Sequence, residues 1–203
     1  MIERIILGTA QLGIPGYGVN NESSGFSPDS AISLLSYARS RGIRTIDIAD
    51  KYGDINSKVT KYNQSQNQQD RFDILTKFQT IPSDFSEYVD VLCDTLQTDE
   101  INCISFHHIN DFIESYDNLT AFKDPRVKNL GVSIYTNEEF SKAIESSEIN
   151  IIQIPFNALD NIHQRGELIV RAKQYNKIIH TRSTFLQGLF YKTKESLPKK
   201  LKP

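Results

Sequence analysis

Residues 45–49 read Thr45-Ile46-Asp47-Ile48-Ala49, a short apolar run rich in β-branched residues that encloses one carboxylate. Such a composition is typical of a buried strand. Three further strand-like segments also contain or end in a reactive side chain: Asp50-Lys51-Tyr52-Gly53, Ile74-Leu75-Thr76-Lys77 and Ile104-Ser105-Phe106-His107. In a (β/α) barrel the carboxyl ends of the strands converge on one face. The pattern therefore predicts one proton-transfer site shared by Asp47, Tyr52, Lys77 and His107.

Similar apolar runs recur along the chain, with helical patterns between them. The runs are Ile5–Leu7, Thr45–Ile48, Asp73–Leu75, Cys103–Phe106, Leu130–Ile134, Ile151–Ile154 and Ile178–His180. Alternating strands and helices favour a parallel sheet, and mostly apolar strands indicate burial on both faces. Seven repeats without a Gly-x-Gly-x-x-Gly turn favour a barrel over a doubly wound sheet. The predicted fold is α/β, an incomplete (β/α)8 TIM-type parallel barrel with seven strand units.

Two helix starts are also visible in the sequence. Ser27 followed by Pro28 is typical of an N-cap and a first helical turn. Thr136 with Glu139 three residues later is the pattern of a capping box. Both signals lie between predicted strands, as the alternating architecture requires.

The bulk composition limits the class of protein. The chain has 203 residues, of which 38% are hydrophobic and 24% charged, and its formal net charge is -2. These values predict one soluble domain over residues 1–203, with no nucleic-acid or membrane partner. The start of the chain lacks a signal-peptide pattern, which indicates a cytoplasmic protein. Cys93 and Cys103 lack metal-ligand spacing, so we interpret them as buried, reduced thiols and predict no metal site.

Seven segments in order along the chain carry a resemblance to a known family. They are Leu7–Gly13, Gly42–Gly53, Leu75–Lys77, Phe106–His108, Lys128–Ser133, Gln153 and Arg182–Leu189. Together they resemble the aldo/keto reductase family, and the match is collinear from Ile5 to about Phe190. The last segment is similar to that of bacterial members found with surface-polysaccharide genes.

The resemblance implies a barrel that binds NADP(H) and reduces aldehydes or ketones to alcohols. In that reading Tyr52 is the proton donor, Lys77 and Asp47 are its electrostatic partners, and His107 orients the carbonyl group. The resemblance also implies a set of cofactor-binding residues, in which Ser133 and Gln153 meet the nicotinamide carboxamide; the set is Gly8, Thr9, Ser133, Gln153, Arg182 and Ser183. The expected substrate is a small carbonyl compound, with sugar-derived compounds among the candidates.

The residue types suit this chemistry. A carbonyl oxygen that gains negative charge must be protonated, and a tyrosine of ordinary pKa, ~10, is a poor donor near neutral pH. A neighbouring lysine ammonium favours the phenolate, so we expect Lys77 to lower the pKa of Tyr52. Asp47 would keep that ammonium protonated and in place. A histidine within reach of the same oxygen fixes the substrate and stabilises the developing charge.

The sequence departs from the family pattern in three ways. Ile134 stands where many members have an asparagine, and Arg182 stands where many have an aromatic residue that stacks on the nicotinamide. A guanidinium group can also stack on a ring. After Gly188 and Leu189 the family continues with a helix, a strand and a further helix, for which the sequence to Pro203 has no counterpart. We therefore expect either a fragment of a longer reading frame or an open seven-stranded barrel with weakened cofactor binding.

Two alternatives to a working reductase remain open from the sequence. The first is a truncated or degenerate barrel with little or no activity, which serves as a fragment or a binding partner. The second is a barrel lyase or isomerase with Lys77 as a Schiff-base nucleophile, an interpretation that a carboxylate partner at Asp47 disfavours. The sequence leaves the physiological substrate and the oligomeric state open.

Overall fold

A computed structural model describes residues 4–19, 25–78 and 80–197. Strands and helices alternate along these ranges. The strands are β1 (Ile6–Gly8), β2 (Thr45–Asp47), β3 (Asp73–Phe78), β4 (Cys103–Phe106), β5 (Leu130–Ser133), β6 (Ile151–Pro155) and β7 (Ile178–Arg182). The α-helices are α1 (Ala10–Gly13), α2 (Pro28–Ser40), α3 (Ile55–Gln64), α4 (Phe85–Leu96), α5 (Ile109–Glu114), α6 (Asn137–Glu145) and α7 (Ile162–Gln174). Short 3-10 helices cover Gln68–Asp70, Tyr116–Ala121 and Leu186–Tyr191.

The seven strands form one parallel sheet whose spatial order equals the order in the sequence, β1 to β7. Each strand pairs with the next, and within the described ranges β1 and β7 are the two edges. The result is an incomplete (β/α) barrel, which confirms the predicted fold class. All carboxyl ends of the strands therefore open on the same side, called the mouth below.

The outer face of the sheet forms the main core with the helices. Ile46, Ile74, Ile104, Val132 and Ile152, one from each of five strands, are fully buried in this layer. Fully burying a side chain of this size contributes roughly 1.5–3 kcal/mol relative to exposure, so this layer is a main source of stability. Cys93 and Cys103 are buried free thiols, as expected.

The inner face changes from apolar to polar along each strand. A small separate cluster, with Ile6 packed against it, contains the buried residues Leu75, Cys103 and Ile151. Two residues nearer the mouth, the same strands carry Lys77, Ser105 and Gln153. Because successive side chains of a strand alternate between the two faces, these residues point to the same side as the apolar cluster. The barrel interior thus has an apolar base and a polar mouth.

Both predicted helix starts are present. The Ser27 Oγ accepts a hydrogen bond of 3.2 Å from the backbone amide of Ser30, at the start of α2. At α6, Thr136 accepts from the amide of Glu139, and the Glu139 carboxylate accepts from the amide of Thr136. No helix in the described ranges is long and apolar enough to cross a bilayer.

One sequence-based expectation about local structure is wrong. Asp50-Lys51-Tyr52-Gly53 is not a strand but a turn after β2, closed by a hydrogen bond from the Tyr52 amide to the Ala49 carbonyl. Gly53 has a positive φ of 57°, which favours glycine. A Cβ at Gly53 would lie 2.2 Å from the Gly13 carbonyl oxygen, and a Cβ at Gly13 would lie 1.8 Å from that of Tyr52. The two glycines let the loop after β1 support the turn that carries Tyr52.

Candidate active site

The centre of the site is a buried ion pair on the inner face of the sheet. Lys77 in β3 donates a hydrogen bond to Oδ1 of Asp47, the last residue of β2, and both side chains are buried. The other carboxylate oxygen, Oδ2, accepts a hydrogen bond of 2.6 Å from Nε2 of Gln153 in β6. Charge-assisted hydrogen bonds are among the stronger ones in proteins, so the three side chains hold fixed relative positions.

Tyr52 and His107 lie beside this ion pair. Lys77 Nζ is 5.4 Å from the centroid of the Tyr52 ring. The rings of Tyr52 and His107 meet edge to face, with centroids 6.2 Å apart. The structure therefore brings together Asp47, Tyr52, Lys77 and His107 at the mouth, although they come from three strands and the loops that follow them.

The pKa of Tyr52 departs from the expectation. Burial raises it above its usual value of 10, the negative charge of Asp47 raises it further, and Arg182 lowers it. We expected Lys77 to lower this pKa, but Lys77 is not among the charges that shift it, whereas its ion-pair partner Asp47 is. Tyr52 is therefore protonated over the whole physiological pH range, and it is a weaker acid than an ordinary tyrosine.

His107 is a neutral imidazole. Burial is the main cause that lowers its pKa from 6.5 to about 4, and the nearby charge of Lys77 lowers it as well. Its Nδ1 is buried and has no hydrogen-bond partner among the described residues. The ring stacks on that of His108, with centroids 5.1 Å apart. As a neutral ring it has one donor and one acceptor nitrogen.

Four of the predicted cofactor-binding residues form a second cluster at the mouth. Arg182, at the end of β7, donates from Nε to Ser133 Oγ at 3.2 Å and from a terminal nitrogen to Ser183 Oγ at 3.4 Å. It also donates to the Ile134 carbonyl oxygen at 3.0 Å, and its guanidinium lies 4.2 Å over the ring of Tyr135. Gln153 is the register partner of Ser133. Ser133, Gln153, Arg182 and Ser183 are thus neighbours.

Gly8 and Thr9 lie at the end of β1, on the other side of Asp47. Gly8 is the register partner of Asp47. The Thr9 side chain is buried and its hydroxyl donates a hydrogen bond of 2.8 Å to the Asp47 carbonyl oxygen, to which the Thr9 amide also donates. In this structure Thr9 therefore holds the backbone of Asp47 in place.

Two residues of the mouth were missed from the sequence. Tyr135 lies two residues after the end of β5. The rule that strand ends converge, which predicted His107, could also have predicted Tyr135. His180 lies two residues before Arg182 in β7, and alternation places both on the inner face. Burial lowers the pKa of His180, and the charges of Asp47 and Lys77 act on it. Among the described residues no group of three His, Cys, Asp or Glu side chains could hold a metal ion.

Comparisons with known proteins agree with this architecture. The family described as the Aldo/keto reductase family matches residues 4–203. A putative aldo-keto reductase from Pseudomonas aeruginosa is 22% identical, with a TM-score of 0.68, 87% of this chain covered and 70% of that chain. An aldo/keto reductase from Brucella melitensis is 22% identical, with a TM-score of 0.63 and coverage of 90% and 68%. The glycerol dehydrogenase of Gluconobacter oxydans is 18% identical, with a TM-score of 0.64 and coverage of 92% and 61%.

At these identities, the solved structures establish the shared fold and the family match establishes the relationship. No curated protein matches the chain.

Proposed function

Because the chain belongs to the aldo/keto reductase family, we propose that it reduces an aldehyde or ketone to an alcohol with NADP(H), and that Tyr52 supplies the proton. The observation that carries the proposal is the cluster of Tyr52, Lys77, Asp47 and His107 at the mouth. The family match supports an oxidoreductase in general. The cofactor and the roles of the four residues are the proposed part.

Each residue of the cluster has a separate role in the proposal. The Tyr52 hydroxyl hydrogen-bonds the carbonyl oxygen and gives up its proton as negative charge develops there. His107, a neutral imidazole, fixes the same oxygen from the other side. Lys77 and Asp47 form a fixed ion pair beside the Tyr52 ring. The bound cofactor supplies the hydride that the carbonyl carbon receives.

The second cluster at the mouth has the donors and acceptors that a nicotinamide carboxamide needs. Ser133 accepts from Arg182, which leaves the hydroxyl proton of Ser133 to donate. Gln153 donates from Nε2 to Asp47, and among the described residues no hydrogen bond engages its Oε1. One donor and one acceptor thus lie side by side on neighbouring strands. These residues fit the group, so Ser133 and Gln153 would hold the carboxamide beside Arg182.

The same site supports the proposal that residues 1–203 work as one domain. Thr9 after β1 holds Asp47, and Arg182 at the end of β7 binds Ser133 in β5.

The complete set of four proton-transfer residues also disfavours a degenerate barrel, in which an unused cluster would not be expected to keep its buried ion pair.

The test is to replace Tyr52 with phenylalanine. Removal of the proposed proton donor should lower the rate of carbonyl reduction roughly 10²- to 10⁴-fold, because general acid catalysis contributes on that order. The affinity for NADPH should not change, since the ring and its packing stay in place. The assay follows NADPH absorbance over a panel of aldehydes and ketones, and fluorescence titration gives the dissociation constant.

Tyr37→Phe is the matched control, because Tyr37 is an exposed tyrosine on α2. It should reduce the same substrates at the unchanged rate. If Tyr52→Phe were as active as the unsubstituted chain on every substrate reduced, Tyr52 would not be the proton donor.

A further inference from the structure

Two loops meet at the mouth beside the proton-transfer cluster. The turn after β2 carries Lys51 directly before Tyr52, and the segment after β4 carries His108 directly after His107. Lys51 Nζ lies 2.7 Å from His108 Nε2. An ammonium group only donates hydrogen bonds, so this nitrogen of His108 must be the acceptor. The contact joins residues 57 positions apart and fixes a flexible side chain at the edge of the site.

The charge of Lys51 has no carboxylate partner among the described residues. In the same ranges Lys58, Lys77, Lys123 and Lys128 each form an ion pair with an aspartate or glutamate. The two aspartates that precede Lys51 in β2 and the turn after it are already engaged. Asp47 is bound by Lys77 and Gln153, and Asp50 accepts a hydrogen bond from the Tyr88 hydroxyl. Lys51 is therefore a cation fixed by His108, and two of its three ammonium protons are available to a ligand.

Arg182 is a less suitable candidate for the same role. Nε and both terminal nitrogens of its guanidinium already donate to Ser133, Ser183 and the Ile134 carbonyl, and one face is covered by Tyr135. Lys51 is exposed and uses a single donor. Lys51 has two of its three donors left and is exposed, whereas Arg182 already uses three of its five donors and is fixed against Tyr135.

We propose that Lys51, held by His108, binds an oxyanion of the substrate, a carboxylate or a phosphate, while the substrate carbonyl lies between Tyr52 and His107. The inference rests on the proposed carbonyl reduction at that site. The His107 and His108 rings are stacked at 5.1 Å and Lys51 is in direct contact with the second ring. The anionic group therefore lies one imidazole ring farther out than the carbonyl. A short open-chain aldehyde or ketone with a charged end can span this separation.

Oxyanion binding can be tested on the full chain without turnover. The ring signals of His108 are followed by NMR during titration with inorganic phosphate and, separately, with succinate; loss of the signals in His108→Gln assigns them. We expect a saturable shift that disappears in Lys51→Met and is retained in Lys51→Arg. Lys61→Met is the matched control, an exposed lysine in the last turn of α3, and should titrate like the unsubstituted chain.

The two anions distinguish the source of the charge. A shift with phosphate alone assigns a phosphate-bearing substrate, a shift with succinate alone assigns a carboxylate, and a shift with both assigns a general oxyanion site. The proposal is overturned if neither anion gives a saturable shift, or if Lys51→Met shifts as the unsubstituted chain does. This result is obtained whether or not the chain reduces any carbonyl compound.

Kinetics then connect the site to the reaction. Succinic semialdehyde and butyraldehyde are compared as a charged and a neutral aldehyde of the same chain length. Loss of one charge-assisted hydrogen bond should lower kcat/KM of Lys51→Met for succinic semialdehyde roughly 10- to 100-fold more than for butyraldehyde, mainly through KM. Equal losses for both aldehydes would overturn the inference while Tyr52 kept its role. Failure of Tyr52→Phe to lower activity would instead overturn the proposed function.

Discussion

At the scale of single residues, the ion pair of Lys77 and Asp47 combines a structural and a chemical role. Both groups are buried, and each is the main partner of the other. A buried charge that loses its partner destabilises a protein strongly, whereas replacement of both charges by neutral groups costs less. A single substitution therefore mixes a folding effect with a catalytic one, and a pair of variants is needed to separate them.

Lys77→Met should lower the free energy of unfolding by about 3–5 kcal/mol, because Asp47 is left as an uncompensated buried charge. The double variant Asp47→Asn/Lys77→Met should recover part of that loss, as measured by urea denaturation. Neither variant should have reductase activity, because the ion pair of Lys77 and Asp47 beside the Tyr52 ring is missing in both. A double variant that is less stable than Lys77→Met would contradict this account. Lys128→Met, which breaks an exposed ion pair with Glu100, should change stability by about 0–1 kcal/mol.

The sequence predicted those residues of the site that stand at the carboxyl ends of strands. Asp47, Lys77 and His107 follow from the rule that carboxyl ends of parallel strands converge. The raised pKa of Tyr52 could not be predicted, because it depends on burial of the ring and on the nearby carboxylate of Asp47. His180 was missed because its neighbours on the inner face come from other strands, which periodicity within β7 does not reveal.

At the scale of secondary-structure elements, the loop after β5 is fixed by α7. Arg165, buried in α7, forms two hydrogen bonds to Asp160 and donates to Asn137 and to the Tyr135 carbonyl. Tyr135 in turn stacks under Arg182. The position of a side chain at the mouth therefore depends on a helix that does not itself reach the proton-transfer cluster.

Arg165→Met should lower the free energy of unfolding by about 2–4 kcal/mol, because it removes one side of a largely buried ion pair and leaves the Tyr135 carbonyl without its donor. Arg171→Met is the matched control on the same helix; it breaks a more exposed pair with Glu145 and should cost about 0–1 kcal/mol. Urea denaturation of both variants measures the difference. Equal losses would show that Arg165 is no more important than an exposed arginine.

The elements themselves were predictable because their signals are local. The cap of α2 and the capping box of α6 need only four residues each, and both are present. The turn at Asp50–Gly53 was mistaken for a strand because it directly follows β2 and its glycine conformation depends on contact with Gly13. A contact between segments 40 residues apart in the chain leaves no periodic pattern in either segment.

At the scale of the whole molecule, burial of imidazole rings makes stability depend on pH. The pKa of His107 is about 4 in the folded chain, whereas an unfolded chain binds the same proton near pH 6.5. Between these values the unfolded state binds more protons, so the free energy of unfolding falls as the pH falls. Burial lowers the pKa of His180 as well, which adds to the same trend.

His107→Gln should therefore lose less stability than the unsubstituted chain between pH 6.5 and pH 4.5, as measured by urea denaturation at both values. Asp124, whose pKa is lowered to about 2 by Arg126, stays charged across this window and does not contribute to the difference. His163→Gln, at an exposed position on α7, should follow the unsubstituted chain. A pH dependence unchanged by His107→Gln would mean that burial of this ring does not set the trend.

The sequential strand order has a consequence for how the chain folds during synthesis. Within the described ranges each strand after β1 pairs with the one made just before it, so a chain leaving the ribosome can add these strands in turn. Asp47 and Lys77 are 30 residues apart and can meet early, whereas Gln153, 106 residues after Asp47, arrives much later. The ion pair of Asp47 and Lys77 can therefore form before Gln153 has been translated.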